Sequence, residues 1–446
     1  MDFIPHTPED DKEMLDAIGL RSLDDLFESI PEAVRLDHLL DVPEALSEIE
    51  LAEHMAALAG RSTGGGLVCF AGGGAYDHYV PAAVRALASR GEFATSYTPY
   101  QPELSQGVLQ ALYEFQTMVC SLYGMEVANA SLYDGANALV EAVNLTVRAT
   151  KRETVLVGAT VHPHYVDVLK TYTSGLGLDI RTIDRGPDGV VEWGALSPGE
   201  PACVVAQSPN FFGLLEDVRG AAEVAHGSGA LLVSVADPTA MGVLEAPGEM
   251  GADVAVGEGQ ALGNPLSFGG PYVGLFATKL SLVRQVPGRI AGETLDADGR
   301  RAYVLTLQAR EQHIRRARAT SNVCTNQTLM AIAATIYLSW LGPRGLRRLG
   351  ELCLSRTAAA AERLSSIPGC SLAFGGPRFK ELVLETPVDA AALASRLARR
   401  GYLVGPALGR YYAGMERSLL IAVTERRTEA DIDGLAEAIE KELAES

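Results

Sequence analysis

The sequence predicts an α/β protein: a helical N-terminal segment over 1–60, a large domain built on a mostly parallel sheet over 61–340, and a small α+β domain over 341–446. Three observations carry this. Between about 107 and 280, helical patterns alternate with short apolar runs bounded by Gly, Pro or Asp. Those runs are apolar on both faces, as strands of a helix-covered parallel sheet must be. After about 365 the order becomes strand, strand, helix, strand, helix, which describes a separate, smaller unit. A length of 446 residues is enough for two or three domains.

In chain order, Thr7-Pro8-Glu9-Asp10 reads as a helix start, with Thr at the N-cap, Pro in the first helical position and acids in the first turn. Leu23 to Phe27 and Ala45 to Leu58 are amphipathic and expected to lie on the outside of a larger domain or on a partner. From 61 to 110 the sequence is irregular, with Gly64-Gly65-Gly66, Gly72 to Tyr79, and Thr98-Pro99-Tyr100-Gln101-Pro102-Glu103. A long loop carrying Tyr76, Tyr79, Tyr97 and Tyr100 is functional rather than disordered. The expected parallel strands are Thr154–Val157, Cys203–Ala206, Leu231–Val235, Asp253–Val256 and Tyr272–Phe276. A helix-rich stretch is expected from 302 to 365. Beyond it come strands Ser371–Phe374, Glu381–Glu385 and Ser418–Val423, and helices Asp389–Arg400 and Thr428–Leu443, the last with a Thr428 N-cap answered by Asp431.

A net charge of −19 argues against nucleic acid as a partner, since a phosphate backbone rewards clustered Lys and Arg. No apolar run reaches the roughly 18 residues of a membrane helix. The acidic start lacks the basic stretch of a signal peptide, so a cytoplasmic protein is expected. The six cysteines form no C-x-x-C pair, and His162-Pro163-His164 lacks a nearby third ligand, so no metal is expected. There is no G-x-x-x-x-G-K-[ST] loop and no G-x-S-x-G elbow.

The informative residues lie at the end of the predicted sheet. The strand closing in Val235-Ala236-Asp237 puts a carboxylate where α/β proteins contact ligands. In pyridoxal-phosphate enzymes of this architecture such an aspartate pairs with the pyridinium nitrogen, and a lysine downstream holds the cofactor as a Schiff base. Here no lysine occurs from Thr171 to Thr278. Gln260 stands in the corresponding stretch, and an amide cannot form an imine. Lys279 follows the next strand and is expected to be out of reach.

Five ordered motifs then carry a resemblance over essentially the whole chain: Pro5-His6-Thr7 with Glu9-Asp10; Gly72-Gly73-Gly74-Ala75-Tyr76-Asp77-His78-Tyr79-Val80-Pro81; Tyr97-Thr98-Pro99-Tyr100-Gln101-Pro102-Glu103 with Ser105-Gln106-Gly107; Gly259-Gln260-Ala261-Leu262-Gly263; and Ala319-Thr320-Ser321-Asn322-Val323-Cys324-Thr325-Asn326-Gln327. The chain resembles the first-subunit branch of the glycine dehydrogenase (decarboxylating) family, the split P-protein of the glycine cleavage system. Ala75 departs from the Ser expected there. The resemblance implies the pyridoxal-phosphate-dependent transferase fold type I and a heterotetramer of two such chains with two of subunit 2. Subunit 2 would carry the pyridoxal phosphate and its lysine. The implied reaction decarboxylates glycine and passes the aminomethyl group to the lipoamide of the H-protein.

In this fold, active sites lie at a dimer interface, so a chain without its own cofactor can still lend loops to its neighbour. Tyr97, Tyr100, Gln101 and Glu103 are the leading candidates for contacts to substrate or to the partner's cofactor. Thr320, Ser321 and Asn322 are the second group, preceded by Arg310, His313, Arg315, Arg316 and Arg318. The alternatives are packing tyrosines, a helix start at Glu103 and an N-cap for the helix of Leu329 to Trp340. Asp237 and Gln260 form the expected degenerate cofactor site. A non-catalytic scaffold or an H-protein docking subunit is the competing reading.

Overall fold

The computed structural model describes residues 5–36, 38, 40–95, 97–195 and 199–445. The chain divides into two compact units after Thr63. The first holds the helices Pro8–Ile18 and Glu48–Gly60. Each is opened by a reciprocal capping box, Thr7 with Asp10 and Ser47 with Glu50. Neither helix buries a residue, and Ile18, Phe27, Ile49 and Met55 are exposed.

The second unit is organised by a seven-stranded sheet. Its spatial order is Val127–Ala128, Gly274–Thr278, Val254–Glu258, Leu231–Ala236, Cys203–Ser208, Thr154–Gly158 and Asp179–Ile183. Successive residues of the central strands enter two separate cores. Leu156, Val204, Ala206 and Leu232 face one, while Val155, Val157, Val205, Val233 and Val235 face the other. This is why these strands read as continuous apolar runs.

Two expectations need correction. Gly274–Thr278 runs antiparallel to Val254–Glu258, with Ala255 opposite Ala277. A parallel neighbour needs a crossover, usually a helix, and residues 259–273 contain none. The stretch from 302 also does not begin as helix. Arg301–Thr306 pairs antiparallel with Ile290–Leu295, burying Tyr303 and Leu305 on one face. The long helix Thr328–Ser365 then follows, interrupted at Gly342 (φ 59°, ψ −179°) just before Pro343.

The carboxyl-terminal part builds an antiparallel sheet from Ser371–Leu372, Glu381–Glu385 and Ser418–Ala422. The helices Ala390–Arg399 and Glu429–Ala444 contribute Leu393, Leu397, Ile432, Leu435 and Ile439 to the core beside it. One pairing joins distant parts of the chain: Val68–Ala71 lies parallel to Tyr402–Gly405. The Gly72–Tyr79 loop leaves this strand directly.

Candidate functional site

Thr154–Gly158 has Asp179–Ile183 on one side and Cys203–Ser208 on the other, so the chain reverses its direction of winding there. Ligands of open α/β sheets bind beyond the strand ends at such a point. At this end His162, Gln207, Asp237 and Glu258 follow or close successive strands. Together with Gly74, Tyr76, Tyr165, Phe379 and Glu381 they line a cavity of about 40 Å³.

Asp237 sits in this cavity as expected, and it is already paired. Lys380 Nζ lies 2.5 Å from Asp237 Oδ2. Thr239 donates to Asp237 Oδ1 from its N–H (2.8 Å) and its hydroxyl (2.6 Å). Burial would raise the Asp237 carboxyl, but the Lys380 charge and these hydrogen bonds hold it below its ordinary value. Lys380 is 1% exposed. Its ammonium also reaches His78 Nε2 (3.2 Å) and Thr239 Oγ1 (3.2 Å), and lies 3.6 Å from the centre of the Tyr76 ring. His78 Nδ1 is 2.6 Å from Glu425 Oε2. With Nε2 accepting from the ammonium, Nδ1 carries the proton and donates it to Glu425. Burial pushes the Glu425 carboxyl upward, yet the hydrogen bonds from His78 and from Tyr79 N hold it well below its ordinary value.

The Gly72–Tyr79 loop closes over this network. Gly73 N donates to Glu381 Oε1 (2.7 Å) and the Tyr76 hydroxyl to Glu381 Oε2 (2.9 Å). Burial lifts the Glu381 carboxyl to about 7, against these donors. Gln260 accepts from Tyr76 N (2.9 Å) and donates to Tyr76 O (3.1 Å) and Asn264 O (2.8 Å). It is a clamp for the loop with every polar atom used, and it lies behind the cavity wall. Asp77 pairs with Arg426 (2.5 Å) and Arg427 (3.0 Å). Gly72 must be glycine, because an added Cβ would meet Glu381 Oε1 at 2.3 Å.

Glu258 lies at the N-terminus of the helix Gly135–Thr150. Its Oε2 accepts from Gly135 N (2.9 Å), and its Oε1 from Gln260 N (2.9 Å) and Val273 N (3.2 Å). Burial pushes this carboxyl up to about 8. His162 caps the helix Pro163–Thr173, as a capped turn should. Its Nδ1 accepts from His164 N (3.1 Å) and its Nε2–H donates to Gly73 O (2.6 Å). Burial lowers it to about 4, so the ring is neutral.

The loop candidates form a second, open region. Tyr97 is 80% exposed and Leu104 77%, while Gln101 and Glu103 are also exposed. Glu103 does not start the helix. It lies in the turn Pro102–Leu104, and the helix Gln106–Tyr123 follows. Thr320 and Ser321 are half-buried and Asn322 exposed, in an irregular segment. They are not an N-cap either, because the helix begins at Thr328 after Gln327. Ser321 Oγ instead accepts from Val323 N (3.0 Å). Of the basic run, Arg310 is buried and braces Val286 O and Gly288 O, so it is not free for a ligand. One residue joins the two segments. Buried Arg289 donates to the Tyr100 hydroxyl (2.7 Å) and to Cys324 O (2.5 Å), and its guanidinium lies 5.1 Å from the Tyr100 ring centre.

Sequence reasoning missed Lys380, Glu381, Glu258, Glu425 and Arg289. It asked only whether Lys279 could reach the cleft. That residue is engaged elsewhere, 2.6 Å from Asp253. Lys380 comes from the far end of the chain.

Comparison with known proteins extends these observations. The family model of the glycine cleavage system P-protein matches residues 1–439. The probable glycine dehydrogenase (decarboxylating) subunit 1 of Desulforamulus reducens is 50% identical over 98% of each chain. Its counterpart in Moorella thermoacetica is 48% identical over the full length of both. A crystal structure of glycine decarboxylase, the P-protein of the glycine cleavage system, in inhibitor-bound form superposes with a TM-score of 0.93. It is 46% identical over 99% of this chain and all of that one. Glutamate decarboxylase from Lactobacillus brevis shares the fold at 13% identity, with a TM-score of 0.70 over 94% of this chain and 97% of that one.

Proposed function

The chain belongs to the glycine cleavage system P-protein family, and on that premise we propose that it is subunit 1 of a glycine dehydrogenase (decarboxylating), an oxidoreductase active only with a second subunit. Its fold is that of the type I pyridoxal-phosphate enzymes. The residues of its own cleft do not fit that cofactor: Gln260 cannot form an imine, and the buried Lys380 ammonium is committed to Asp237, the carboxylate a pyridinium nitrogen would need. The Asp237–Lys380 pair is the observation that carries the reading, because it leaves the chemistry to a partner that binds pyridoxal phosphate. There the cofactor acts as the electron sink for decarboxylation, with the lipoyl arm of an H-protein as acceptor and two copies of each subunit in the assembly.

What this chain supplies is a prepared surface. Arg289 bonds both the Tyr100 hydroxyl and the Cys324 backbone, and so ties the segment that carries Tyr97, Tyr100, Gln101 and Glu103 to the one that carries Thr320, Ser321 and Asn322. The hydroxyls and amides of that pair suit hydrogen bonds to the glycine carboxylate or to a phosphate of the partner's cofactor. Asp237 and Gln260 take no part; both are committed to internal bonds.

The test is Tyr97→Phe, Tyr100→Phe and Thr320→Ala in the complex reconstituted with subunit 2. The reading expects glycine decarboxylation to fall or the KM for glycine to rise while the complex still assembles. Unchanged rate and KM in an intact complex would leave the scaffold or H-protein docking role instead.

A further inference from the structure

A pyridoxal phosphate presents two charged ends to its protein. The pyridinium nitrogen seeks a carboxylate, and the phosphate seeks backbone N–H groups at a helix N-terminus. Both receptors exist in this cleft, and both are occupied by side chains of the chain itself. At the carboxylate end stands the Lys380 ammonium, 2.5 Å from Asp237. At the helix end stands Glu258 Oε2, which accepts from Gly135 N at 2.9 Å. The Tyr76 ring lies against the ammonium, and the wall carries no free cation for a phosphate.

The backbone marks Lys380 as a position kept for its side chain. Its φ is +63°, a left-handed conformation that is strained for a non-glycine residue and free for glycine. A lysine that is also 1% exposed loses its hydration, a penalty met only because Asp237, His78, Thr239 and the Tyr76 face surround the ammonium. Glycine would serve the turn better. The lysine serves the cleft.

We propose that Lys380 and Glu258 are internal substitutes for the two ends of pyridoxal phosphate, so that this chain's cleft is complete without the cofactor and excludes it independently of the lysine missing at position 260. The exclusion is steric and electrostatic: the ammonium already neutralises Asp237, and the acceptor role at the helix N-terminus is filled. This rests on the reading of the cleft given above and deepens it; the subunit role itself is tested separately, by the activity of the reconstituted complex.

The probe is pyridoxine 5′-phosphate, which has both charged ends but no aldehyde, so it cannot attach to surface lysines. Melting of the full-length chain is followed with and without it at about 1 mM. The native chain should not respond. The double variant Lys380→Gly with Glu258→Ala, which removes both substitutes, should melt lower and regain several degrees with the probe, and not with pyridoxine or inorganic phosphate alone. If the double variant does not fold, the measurement becomes the yield of soluble chain on refolding, which the probe should restore. A native chain stabilised by the probe overturns the proposal, and so does a double variant that is neither stabilised nor recovered by it.

Discussion

Arg289→Met separates the two exposed segments without touching the sheet. The substitution keeps an apolar stem and removes two hydrogen bonds from a charged donor, to the Tyr100 hydroxyl and Cys324 O. Such bonds contribute ~1.5–3 kcal/mol each. Tyr100 is 52% exposed, so water replaces part of its loss. A net loosening of about 3 kcal/mol is expected, which is roughly a hundredfold in a local opening equilibrium. Hydrogen exchange read by mass spectrometry should show peptides over 97–104 and 319–327 accelerating together, while Cys203–Ser208 keeps its protection. In the reconstituted complex the decarboxylation rate should fall in parallel. Acceleration confined to one segment, or full activity with both loosened, would refute the idea that Arg289 holds them as one surface.

The Gly72–Tyr79 loop should be intolerant of bulk: Gly72→Ala would place Cβ 2.6 Å from Ala422 Cβ as well as against Glu381 and should cost about 2 kcal/mol or more in urea unfolding; a neutral outcome would mean that the loop is not locked. Stability should depend on pH through Glu381. Its folded pKa, about 7, lies above the unfolded 4.5, so the stability it contributes is fully present below about 4.5 and is lost as pH rises through 7. That loss is worth about 3 kcal/mol, with Glu258 extending the decline to about 8. Glu381→Gln should cut the fall in urea midpoint between pH 5 and 7 by about half, Glu258 carrying the rest, and an unchanged slope would assign the titration elsewhere. Among the cysteines, burial pushes Cys203 and Cys353 up to about 12 and Cys120 and Cys370 to about 11, whereas Cys324 is exposed. Iodoacetamide should label Cys324 first, and subunit 2 should slow that labelling; equal rates with and without subunit 2 would place the 319–327 segment away from the interface.

The sheet was readable because burial on both faces leaves a plain record in Val155, Val205, Val233 and their neighbours. The direction of Gly274–Thr278 was not, because its apolar run is the same for either orientation and only the helix-free connection decides it. The hairpin of Ile290 and Arg301 was hidden by polar residues on its open face, although Tyr303 and Leu305 alternate as a half-buried strand should. The place of Asp237 at a strand end put it in the cavity, whereas Gln260, chosen by the same reasoning, lies behind the wall and clamps the Gly72–Tyr79 loop. Lys380 was invisible to that reasoning. It reaches Asp237 across 143 positions of sequence, a relation of tertiary packing that no local pattern encodes. His78 and Glu425 are further apart still. The roles of Thr320 and Glu103 as helix starts failed because the turns before Gln106 and Thr328 begin the helices a few residues later than propensity suggests.

The pairing of Val68–Ala71 with Tyr402–Gly405 has a consequence for how the chain is made. A ribosome releases the Gly72–Tyr79 loop more than three hundred residues before Glu381, Glu425 and the strand that anchors it. Through most of synthesis that segment has an unpaired strand edge and no hydrogen-bonding partners for Asp77 and His78, a state open to chaperones and to wrong neighbours. A nascent chain stopped before Tyr402 should therefore expose this segment to protease, and completion of the last few dozen residues should seal it in a single late step.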